Sequence, residues 1–400
     1  MATVLLTLGR LPKALDIARA FAGEGWRVIV AEPFAWHLCR LSRAVYRSIP
    51  VCAPNTDLQH YLDDLVAIID HESVDIIVPI SEEAMHAVLL QPRLPPGVRM
   101  YADRPSLVRA LHDKLSFNRM ANGLGLAVPA SALVGEGQAQ ALADSIDTVV
   151  KPVFSCSGTD LSFLPAGSRL PEPDPGQPLL VQARLYGAHR SAQAVAQNGR
   201  LLGLVVYRAT LLTGTVAAAF ERIEASDIEQ WVSRFVAAIH YTGFIAFDFI
   251  DDAAGLAHAI ECNPRLTSGV HFFEPRDLAR AVIAPDTVER MTLRPQRRWQ
   301  QFYACLTETQ AALFDPPRMR AHLRTMSSSR DVTFQWRDPW PFLLMTPVSW
   351  TILRRAMVGR MSLGEAATLD ITRLNADQTD RAVAGTTLIR QPGLPQQPES

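Results

Sequence analysis

The chain has 400 residues, of which 48% are hydrophobic and 20% charged. This length allows roughly two to three domains with substantial cores, and the composition excludes a disordered protein. The 39 basic and 40 acidic residues leave a net charge of −1, so charge gives no reason to expect nucleic acid or an anionic membrane as a partner. The 5 cysteines form no C-x-x-C pair, and neither a signal peptide nor a membrane span is readable. We therefore expect a cytoplasmic protein with reduced thiols.

The first hundred residues alternate between strand and helix patterns. Apolar runs at residues 4–8 and 26–31 flank an amphipathic segment that stops at Gly23 and Gly25, which is the length of one βαβ unit. A helix at 60–71, a strand at 75–79 and a helix from Ser81 continue the alternation. The pattern predicts a doubly wound α/β domain over residues 1–106. It contains no G-x-G-x-x-G motif, so a dinucleotide site of the usual kind has no support.

The next segment is richer in strands. A helix is predicted over 107–121, and Gly123 and Gly125 fit the end of that helix better than a phosphate loop, because an extended X-Pro segment follows. A second helix is predicted over 227–240. Strands are predicted at 148–153, 179–184, 191–196, 201–207, 244–250 and 256–262. Many strands with few helices predict an α+β domain built on antiparallel sheet over residues 107–290.

The remaining residues are less regular. Prolines interrupt the segment 291–375, which we expect to be a smaller C-terminal region with helices near 307–314 and 349–361. The last residues, 376–400, have the composition of a flexible tail. Residues 165–178 are rich in Pro and Gly and are predicted to be a loop.

Three oxygen-bearing side chains fall on one predicted hairpin. Asp248 lies inside the apolar run 243–250, and Glu261 and Asn263 are two residues apart at the end of the next run. Residues at this spacing share a face of a strand, and the hairpin brings that face close to Asp248. Carboxylate and amide oxygens suit Mg²⁺ whose remaining ligands come from substrate phosphates. The alternative is that Arg265 or another base pairs with the carboxylates.

Two lysines fit a phosphate site. Lys151 ends a predicted strand and precedes a loop of small residues that contains Ser155, Ser157 and Gly158. Such a lysine can place its ammonium group on a phosphate while loop amides cover the others. The alternative is a strand-edge lysine beside a flexible loop. Lys114 lies on the predicted helix 107–121, where taken alone it fits a solvated surface residue.

The order of these motifs resembles the ATP-grasp superfamily, in its carboxylate–amine ligase branch, which includes D-alanine–D-alanine ligases, biotin carboxylases and carbamoyl phosphate synthetase domains. The motifs are Asp-Lys-Leu-Ser-Phe at 113–117, Val-Lys-Pro at 150–152, Leu-Leu-Val-Gln-Ala-Arg-Leu-Tyr-Gly at 179–187, Asp248, and Glu-Cys-Asn-Pro-Arg at 261–265. The resemblance covers about residues 1–275. It implies an N-terminal α/β domain before an ATP-grasp domain that binds ATP and Mg²⁺, with Mn²⁺ as a substitute.

The resemblance also implies roles for individual residues. Lys114 and Lys151 would hold ATP phosphates, with Lys151 also catalytic, and the loop with Ser155, Ser157 and Gly158 would close over them. The hinge that meets adenine would comprise Val181, Gln182, Ala183 and Leu185, where Gln182 stands in place of the glutamate of many relatives. Asp248, Glu261 and Asn263 match the magnesium ligands, and Arg265 matches the catalytic arginine at the acyl group.

One position departs from the pattern of these relatives. His189 stands near the expected ribose and phosphates where many relatives have an acidic residue. It is either a nucleotide contact or a surface residue at the start of a strand. His271, a few residues beyond Arg265, is either a substrate contact or an ordinary packed histidine.

The implied reaction is amide or peptide bond formation. ATP would phosphorylate a carboxylate, plausibly of an amino acid, and an amine would then displace phosphate, with ADP released. Carboxylation or carbamoyl-phosphate chemistry with bicarbonate is the alternative enzyme class, and a non-catalytic ATP-binding regulator is the alternative outside enzymes. Loops at 165–178 and 210–224 would select the substrates. The expected partners are small-molecule carboxylates and amines, with neither nucleic acid nor a membrane, and a homodimer is the candidate assembly.

Overall fold

The structure is a computed structural model that describes residues 1–154, 161–214, 216–359 and 363–372. The strands are Thr3–Leu6 (β1), Arg27–Glu32 (β2), Arg47–Pro50 (β3), Ile76–Val78 (β4), Arg99–Met100 (β5), Ser131–Leu133 (β6), Thr148–Pro152 (β7), Ser162–Leu164 (β8), Leu179–Ala183 (β9), His189–Gln197 (β10), Arg200–Thr213 (β11), Val216–Ile223 (β12), Gly243–Asp251 (β13), Ala257–Asn263 (β14), Arg298–Gln300 (β15) and Arg330–Asp331 (β16). The helices are Pro12–Gly23 (α1), Leu58–Glu72 (α2), Ala84–Ala87 (α3), Pro105–His112 (α4), Lys114–Gly123 (α5), Gly137–Ser145 (α6), Ser226–Ala238 (α7), Pro275–Ile283 (α8), Phe302–Ala311 (α9), Pro316–Ser328 (α10), Trp340–Leu343 (α11), Met345–Val348 (α12), Trp350–Gly359 (α13) and Leu363–Thr372 (α14).

The N-terminal strands form a five-stranded parallel sheet in the order β3-β2-β1-β4-β5. Both faces of this sheet are buried at its central strands, where every residue of β1 and β4 is buried. Alternate residues of a strand point to opposite faces, so each face is covered by other elements. Val4 and Leu6 of β1 pack in one cluster with α1, and Leu5 packs in another with α2. Helix α8, from much later in the chain, lies beside α1 and belongs to the same cluster.

The segment that follows is not the single helix predicted over 107–121. The structure divides it into α4 and α5 at Asp113, whose backbone is extended. The Asp113 carboxylate accepts a hydrogen bond from the amide of Ser116 at 2.7 Å and so caps α5. Lys114 is therefore the first residue of a new helix, and its amide donates to the carbonyl of Val153. This change of direction turns Lys114 away from solvent, and it is 4% exposed.

Two sheets follow. The smaller has four antiparallel strands in the order β6-β9-β7-β8, and the larger has seven in the order β14-β13-β10-β11-β12-β15-β16. All neighbours in the larger sheet are antiparallel except β15 and β16. The six strands predicted between 148 and 262 are confirmed, although β11 is longer than predicted. Aromatic side chains of α5, α7 and β13, among them Phe117, Trp231 and Phe247, pack under one face of this sheet.

One predicted substrate loop is instead a strand hairpin. Residues 210–224 fall in the end of β11 and in β12, which pair antiparallel. The pairing shifts register near Ala209 and Leu211, and residues 208–210 are exposed, so this part of the strand lacks the alternating burial that identifies a strand in a sequence. The other predicted loop, 165–178, contains neither helix nor strand.

The C-terminal third adds to both parts of the molecule. Strands β15 and β16 extend the seven-stranded sheet, and α9 packs on β11 and β12. Helix α14 contacts the N-terminal part through Arg10 and Asn55. Within the described ranges, no helix is long and apolar enough to cross a membrane.

Candidate functional site

The β13–β14 hairpin brings together the three residues predicted to bind a metal. Asp248 lies directly opposite Glu261, and Asn263 lies opposite Ala246. The Asn263 side-chain amide donates to Asp248 Oδ2 at 3.2 Å and to Glu261 Oε1 at 3.0 Å. On the neighbouring strand β10, the Ser191 hydroxyl donates to Asp248 Oδ1 at 2.6 Å. The two carboxylates are thus held side by side by neutral donors.

The electrostatics of this pair favour a cation. Burial, followed by the adjacent Glu261 carboxylate, raises the pKa of Asp248 to about 6. Burial also acts to raise the pKa of Glu261, but Lys114 and Lys151, with smaller effects from Asn263 and Arg265, lower it below its usual range. A divalent cation between the carboxylates would remove their mutual repulsion. Two carboxylates beside an amide suit Mg²⁺, which keeps waters and substrate phosphates as its other ligands. Within the described ranges, no group of three His, Cys, Asp or Glu side chains converges.

Asn263 contributes in a way the sequence does not reveal. Its Oδ1 accepts a hydrogen bond from Arg265 Nη2 at 3.0 Å, and its NH₂ group faces the two carboxylates. As a metal ligand it would have to present Oδ1 instead, so the amide would have to turn over. Arg265 also forms an ion pair with Glu82 and donates to the Leu266 carbonyl. The alternative that a base pairs with the carboxylates is met in part, because Lys114 Nζ lies 3.7 Å from Glu261 Oε2.

The lysines of this chain have an unusual distribution. There are only three, Lys13, Lys114 and Lys151, and all three are buried. Buried ammonium groups are costly unless they are paired, and lysine is the compact point charge that phosphate sites use. The order of the sequence motifs does not identify Lys13 as a functional residue. The scarcity of lysine in a chain rich in arginine is the sequence signal that could have identified it.

Lys114 and Lys151 both lie close enough to the acidic pair to act on the Glu261 carboxylate. Lys114 Nζ is 3.7 Å from Glu261 Oε2. Lys151 Nζ donates to Gln182 Oε1 at 2.9 Å and to the Ile260 carbonyl at 3.4 Å. Burial lowers the pKa of Lys151 to about 8, against the opposing effect of Glu261. The predicted surface setting for Lys114 and strand-edge setting for Lys151 are both wrong, because each is enclosed by the sheets.

The predicted adenine hinge lies at the end of β9. Val181 and Gln182 are buried in this strand between β6 and β7, and Ala183 and Leu185 are half-buried at its end. The Gln182 amide bridges Lys151 and Ser131, to which it donates at 3.0 Å. Its side chain therefore positions the Lys151 ammonium group.

The other predicted nucleotide contacts have different outcomes. His189 is exposed at the first position of β10, opposite Ile250 and two residues before Ser191. Ser155, Ser157 and Gly158 lie outside the described residues. His271 is an ordinary packed histidine: it is buried, its Nδ1 is 2.7 Å from Asp16 Oδ2, and it stacks on Phe220.

A buried ionic chain joins the site to the N-terminal sheet. Glu82, which follows β4, pairs with Arg265 and lies near His112 and Lys13. Burial raises the pKa of Glu82, but Arg265, His112 and Lys13 together hold it below its usual range. Burial lowers the pKa of His112 to about 4, so this histidine is neutral at pH 7. From the sequence, Glu82 could be read only as an acidic residue at a helix start, because its partners come from distant segments.

Two buried lysines facing paired carboxylates, between a small and a large antiparallel sheet, suit a nucleoside triphosphate bound with a divalent cation. Comparison with known proteins agrees. Residues 111–269 match the family model described as an ATP-grasp domain. The chain therefore contains an ATP-grasp domain, as the resemblance predicted. This match agrees with the expected class of ATP-dependent ligase, and a similar structure, the biotin carboxylase domain from Hydrogenobacter thermophilus at 14% identity, is described in complex with MgADP.

Solved structures share the fold at low sequence identity. N5-carboxyaminoimidazole synthetase from Staphylococcus aureus has a TM-score of 0.57 at 15% identity and covers 73% of this chain and 80% of that chain. Biotin carboxylase from Campylobacter jejuni has a TM-score of 0.57 at 13% identity, over 70% of each chain. Phosphoribosylamine–glycine ligase from Thermotoga maritima has a TM-score of 0.55 at 17% identity, over 74% of this chain and 78% of that chain. No curated protein sequence matches the chain.

Proposed function

We propose that this protein is an ATP-dependent carboxylate–amine ligase that forms an amide or peptide bond through an acylphosphate and releases ADP and phosphate. The observation that carries the proposal is the placement of Lys114 and Lys151 against the Asp248–Glu261 pair. Four charged groups that are largely removed from solvent, two of each sign, match the triphosphate of ATP and the cation that accompanies it.

The chemistry requires positioning and neutralisation of charge. A carboxylate is a poor electrophile; its oxygen attacks the γ-phosphorus of ATP, the bond between that phosphorus and the bridging oxygen breaks, and ADP leaves. The amine nitrogen then attacks the acyl carbon, phosphate departs, and the nitrogen loses a proton. Mg²⁺, when bound at Asp248 and Glu261, would neutralise charge that spreads over the phosphates. Lys114 and Lys151 hold phosphate oxygens in line, which is the main contribution a protein makes to this transfer.

Arg265 is the residue we assign to the acyl group. Its Nη2 contacts both Asn263 and Glu82, and its Nη1 donates to the Leu266 carbonyl, at the junction of the ATP-grasp domain and the N-terminal sheet. A cation held rigidly at this junction can stabilise the carboxylate before transfer and the acylphosphate after it. The acceptor carboxylate therefore approaches from the N-terminal sheet, and the nucleotide from the four-stranded sheet.

Bicarbonate is the second candidate for the carboxylate. Two of the similar structures are named as a carboxyaminoimidazole synthetase and a biotin carboxylase, and a third, from Hydrogenobacter thermophilus, is a biotin carboxylase domain in complex with MgADP, ADP and bicarbonate. Bicarbonate is itself a carboxylate that the same arrangement of charges would phosphorylate. The two candidates therefore share the site and differ in the group that receives the phosphoryl group.

Nucleotide release in the presence of substrate pools tests the proposal. The full-length protein is incubated with ATP, Mg²⁺ and pools of amino acids or small carboxylates, in buffer with and without bicarbonate, and ADP and AMP are separated. We expect ADP and phosphate with one amino-acid or carboxylate pool in bicarbonate-free buffer. ADP formation that requires bicarbonate would select the second candidate, and AMP with pyrophosphate would contradict both. Lys151→Met and Glu261→Gln should lose turnover, whereas Asp286→Asn, a substitution at an exposed turn, should retain it.

A further inference from the structure

The carboxyl edge of the N-terminal sheet is covered by the C-terminal helix α14. In the strand order of this sheet, β1 and β4 form the switch point, where open α/β sheets bind ligands beyond their carboxyl ends. Arg10 follows β1, and its Nη1 donates to the Ala367 carbonyl and to Asp370 of α14. Asn55, after β3, donates to the carbonyls of Leu369 and Asp370. Helix α14 thus occupies the position where a substrate would enter.

Arg10 is held so that one edge of its guanidinium group faces α14. Its Nε donates to Glu32 Oε1 at 2.8 Å, and both side chains are fully buried. Nη1 and Nη2 form a two-pronged contact with the Asp370 carboxylate, at 2.7 and 3.1 Å. This parallel pair of hydrogen bonds is the geometry with which arginine recognises a carboxylate or a phosphate. Glu32 orients the guanidinium group, and Asp370 occupies its binding edge.

A second guanidinium group faces the same carboxylate. Arg355 of α13 lies 3.6 Å from Asp370 Oδ1, and its side chain is 41% exposed. The Arg10 and Arg355 guanidinium groups both lie over the ring of Phe34, at 3.6 and 4.5 Å from its centroid. The aromatic ring stabilises two cations of like charge close together. If Asp370 left, two oriented guanidinium groups would remain; Arg10 would keep Glu32 as its buried partner, but the Nη1–Nη2 edge would lose its acceptor and could take another oxyanion.

Asp370 has an unfavourable position within its own helix. It lies in the last turn of α14, where the helix dipole disfavours a negative charge. Arg10 and Arg355 compensate for this unfavourable interaction with the helix dipole. Their contact with Asp370, and not the structure of α14, therefore accounts for an acidic residue at this position. Among the described side chains of α14, those of Ala366, Ala367 and Ile371 are buried, and two of these three are small. Ile371 is the one large side chain among them, and a small buried apolar area in the described part of a helix is typical of a segment that can separate from the rest of the fold.

We propose that Arg10 and Arg355 form the subsite for an oxyanion of the substrate, a carboxylate or a phosphate distinct from the group that is activated, and that Asp370 occupies this subsite until substrate displaces α14. The assignment to substrate rests on the proposed ligase function. The subsite lies on the sheet edge that also carries Glu82 and Lys13, which contact Arg265 and the Leu266 carbonyl of the reaction centre. A substrate held at Arg10 would therefore extend toward Arg265 along this edge of the sheet.

Competition between a free anion and α14 tests the proposal without requiring turnover. The probes are glutarate, as a free carboxylate, and inorganic phosphate, each compared with sodium chloride at equal ionic strength. Hydrogen exchange of residues 363–372 is measured in the wild-type protein, and the Kd of each probe is measured by calorimetry. We expect glutarate or phosphate, but not chloride, to increase exchange in this helix. Glutarate acting alone identifies a carboxylate subsite, and phosphate acting alone identifies a phosphate subsite.

Two variants separate a binding role from a structural one. In Asp370→Asn, which removes the internal competitor, the Kd of the effective probe should fall about tenfold, a typical coupling between linked sites. In Arg355→Gln, a change at a half-exposed position, the same Kd should rise. Asp286→Asn also removes one negative charge, at an exposed turn near Arg200, and should leave the Kd unchanged.

Absence of any probe-induced exchange in residues 363–372, or equal affinities of the probe for the wild type and Asp370→Asn, would overturn the subsite. If these binding results are obtained but the wild-type protein has no ligase activity, only the proposed function is overturned.

Discussion

Replacing Lys151 by methionine should weaken ATP binding without destabilising the fold. Lys151 is buried, and its two polar contacts are with the neutral acceptors Gln182 Oε1 and the Ile260 carbonyl. Burial lowers its pKa from 10.5 to about 8, and this shift corresponds to about 3 kcal/mol of unfavourable free energy for the charged form in the folded protein. A methionine of similar length avoids that cost. It leaves the Gln182 oxygen without its donor, which costs about 1–3 kcal/mol.

The two effects nearly cancel, so the free energy of unfolding of Lys151→Met at pH 7 should stay the same or rise by up to about 2 kcal/mol. ATP affinity should change in the opposite sense. Loss of one charge-assisted hydrogen bond to phosphate costs about 2 kcal/mol, which is roughly thirtyfold in Kd. Urea unfolding measures the first quantity, and calorimetric titration with Mg·ATP measures the second.

The third lysine provides the control. Lys13 is also buried, but it lies on α1 and donates to the Leu266 carbonyl at 2.7 Å. Lys13→Met should leave the Kd of ATP within about twofold of the wild type, because the contacts of Lys13 are with the Leu266 carbonyl and with Glu82, next to Arg265 and the acyl group. A Lys151→Met protein that binds ATP normally but unfolds much more easily would refute the reasoning, because Lys151 would then serve stability and not phosphate binding.

Three further predictions concern pH, metal and domain contact. Because the pKa of Lys151 in the free protein is about 8, kcat/KM for ATP should fall as pH rises through 8. Over the range between the folded and unfolded pKa values of Lys151, its contribution to the free energy of unfolding should increase with pH. A kcat/KM profile that stays flat up to about pH 9.5 would contradict the role of the charged Lys151. Glu261→Gln should reduce Mg²⁺-dependent ADP release at least about a hundredfold in a coupled assay, with equal activity as the contrary result. Asp16→Asn, which leaves His271 and Arg294 without their buried partner, should lower the free energy of unfolding in urea by about 3 kcal/mol, and a loss below about 1 kcal/mol would contradict that role.

The parts of the site that lie on one hairpin could be predicted from the sequence. Asp248, Glu261 and Asn263 are close in the chain, and the two-residue period of a strand determines which of them share a face. Lys114 was harder to place, because apolar periodicity runs unbroken through 107–121 and conceals the helix break at Asp113. The capping hydrogen bond to Ser116, which produces that break, is visible only in the structure.

Contacts between distant segments could not be predicted. Glu82 meets Arg265, and Arg10 meets Asp370, across separations of 183 and 360 residues, and no local pattern specifies such pairs. The strand that replaced the predicted loop at 210–224 owes its position to pairing with β11 and β15. Tertiary pairing of this kind overrides the local signal, so the nature of the elements near the site could be predicted better than their partners.

Transfer of oxygen from the carboxylate to phosphate is the most direct test of the proposed reaction. The acid that supports ADP release is prepared with ¹⁸O in its carboxylate, and the phosphate formed with Mg·ATP is examined by ³¹P nuclear magnetic resonance. An acylphosphate intermediate carries one carboxylate oxygen into the released phosphate, so we expect ¹⁸O in that product at the level of the labelled acid. Phosphate without ¹⁸O, formed together with the amide and ADP, would show that the carboxylate was never phosphorylated and would contradict the mechanism.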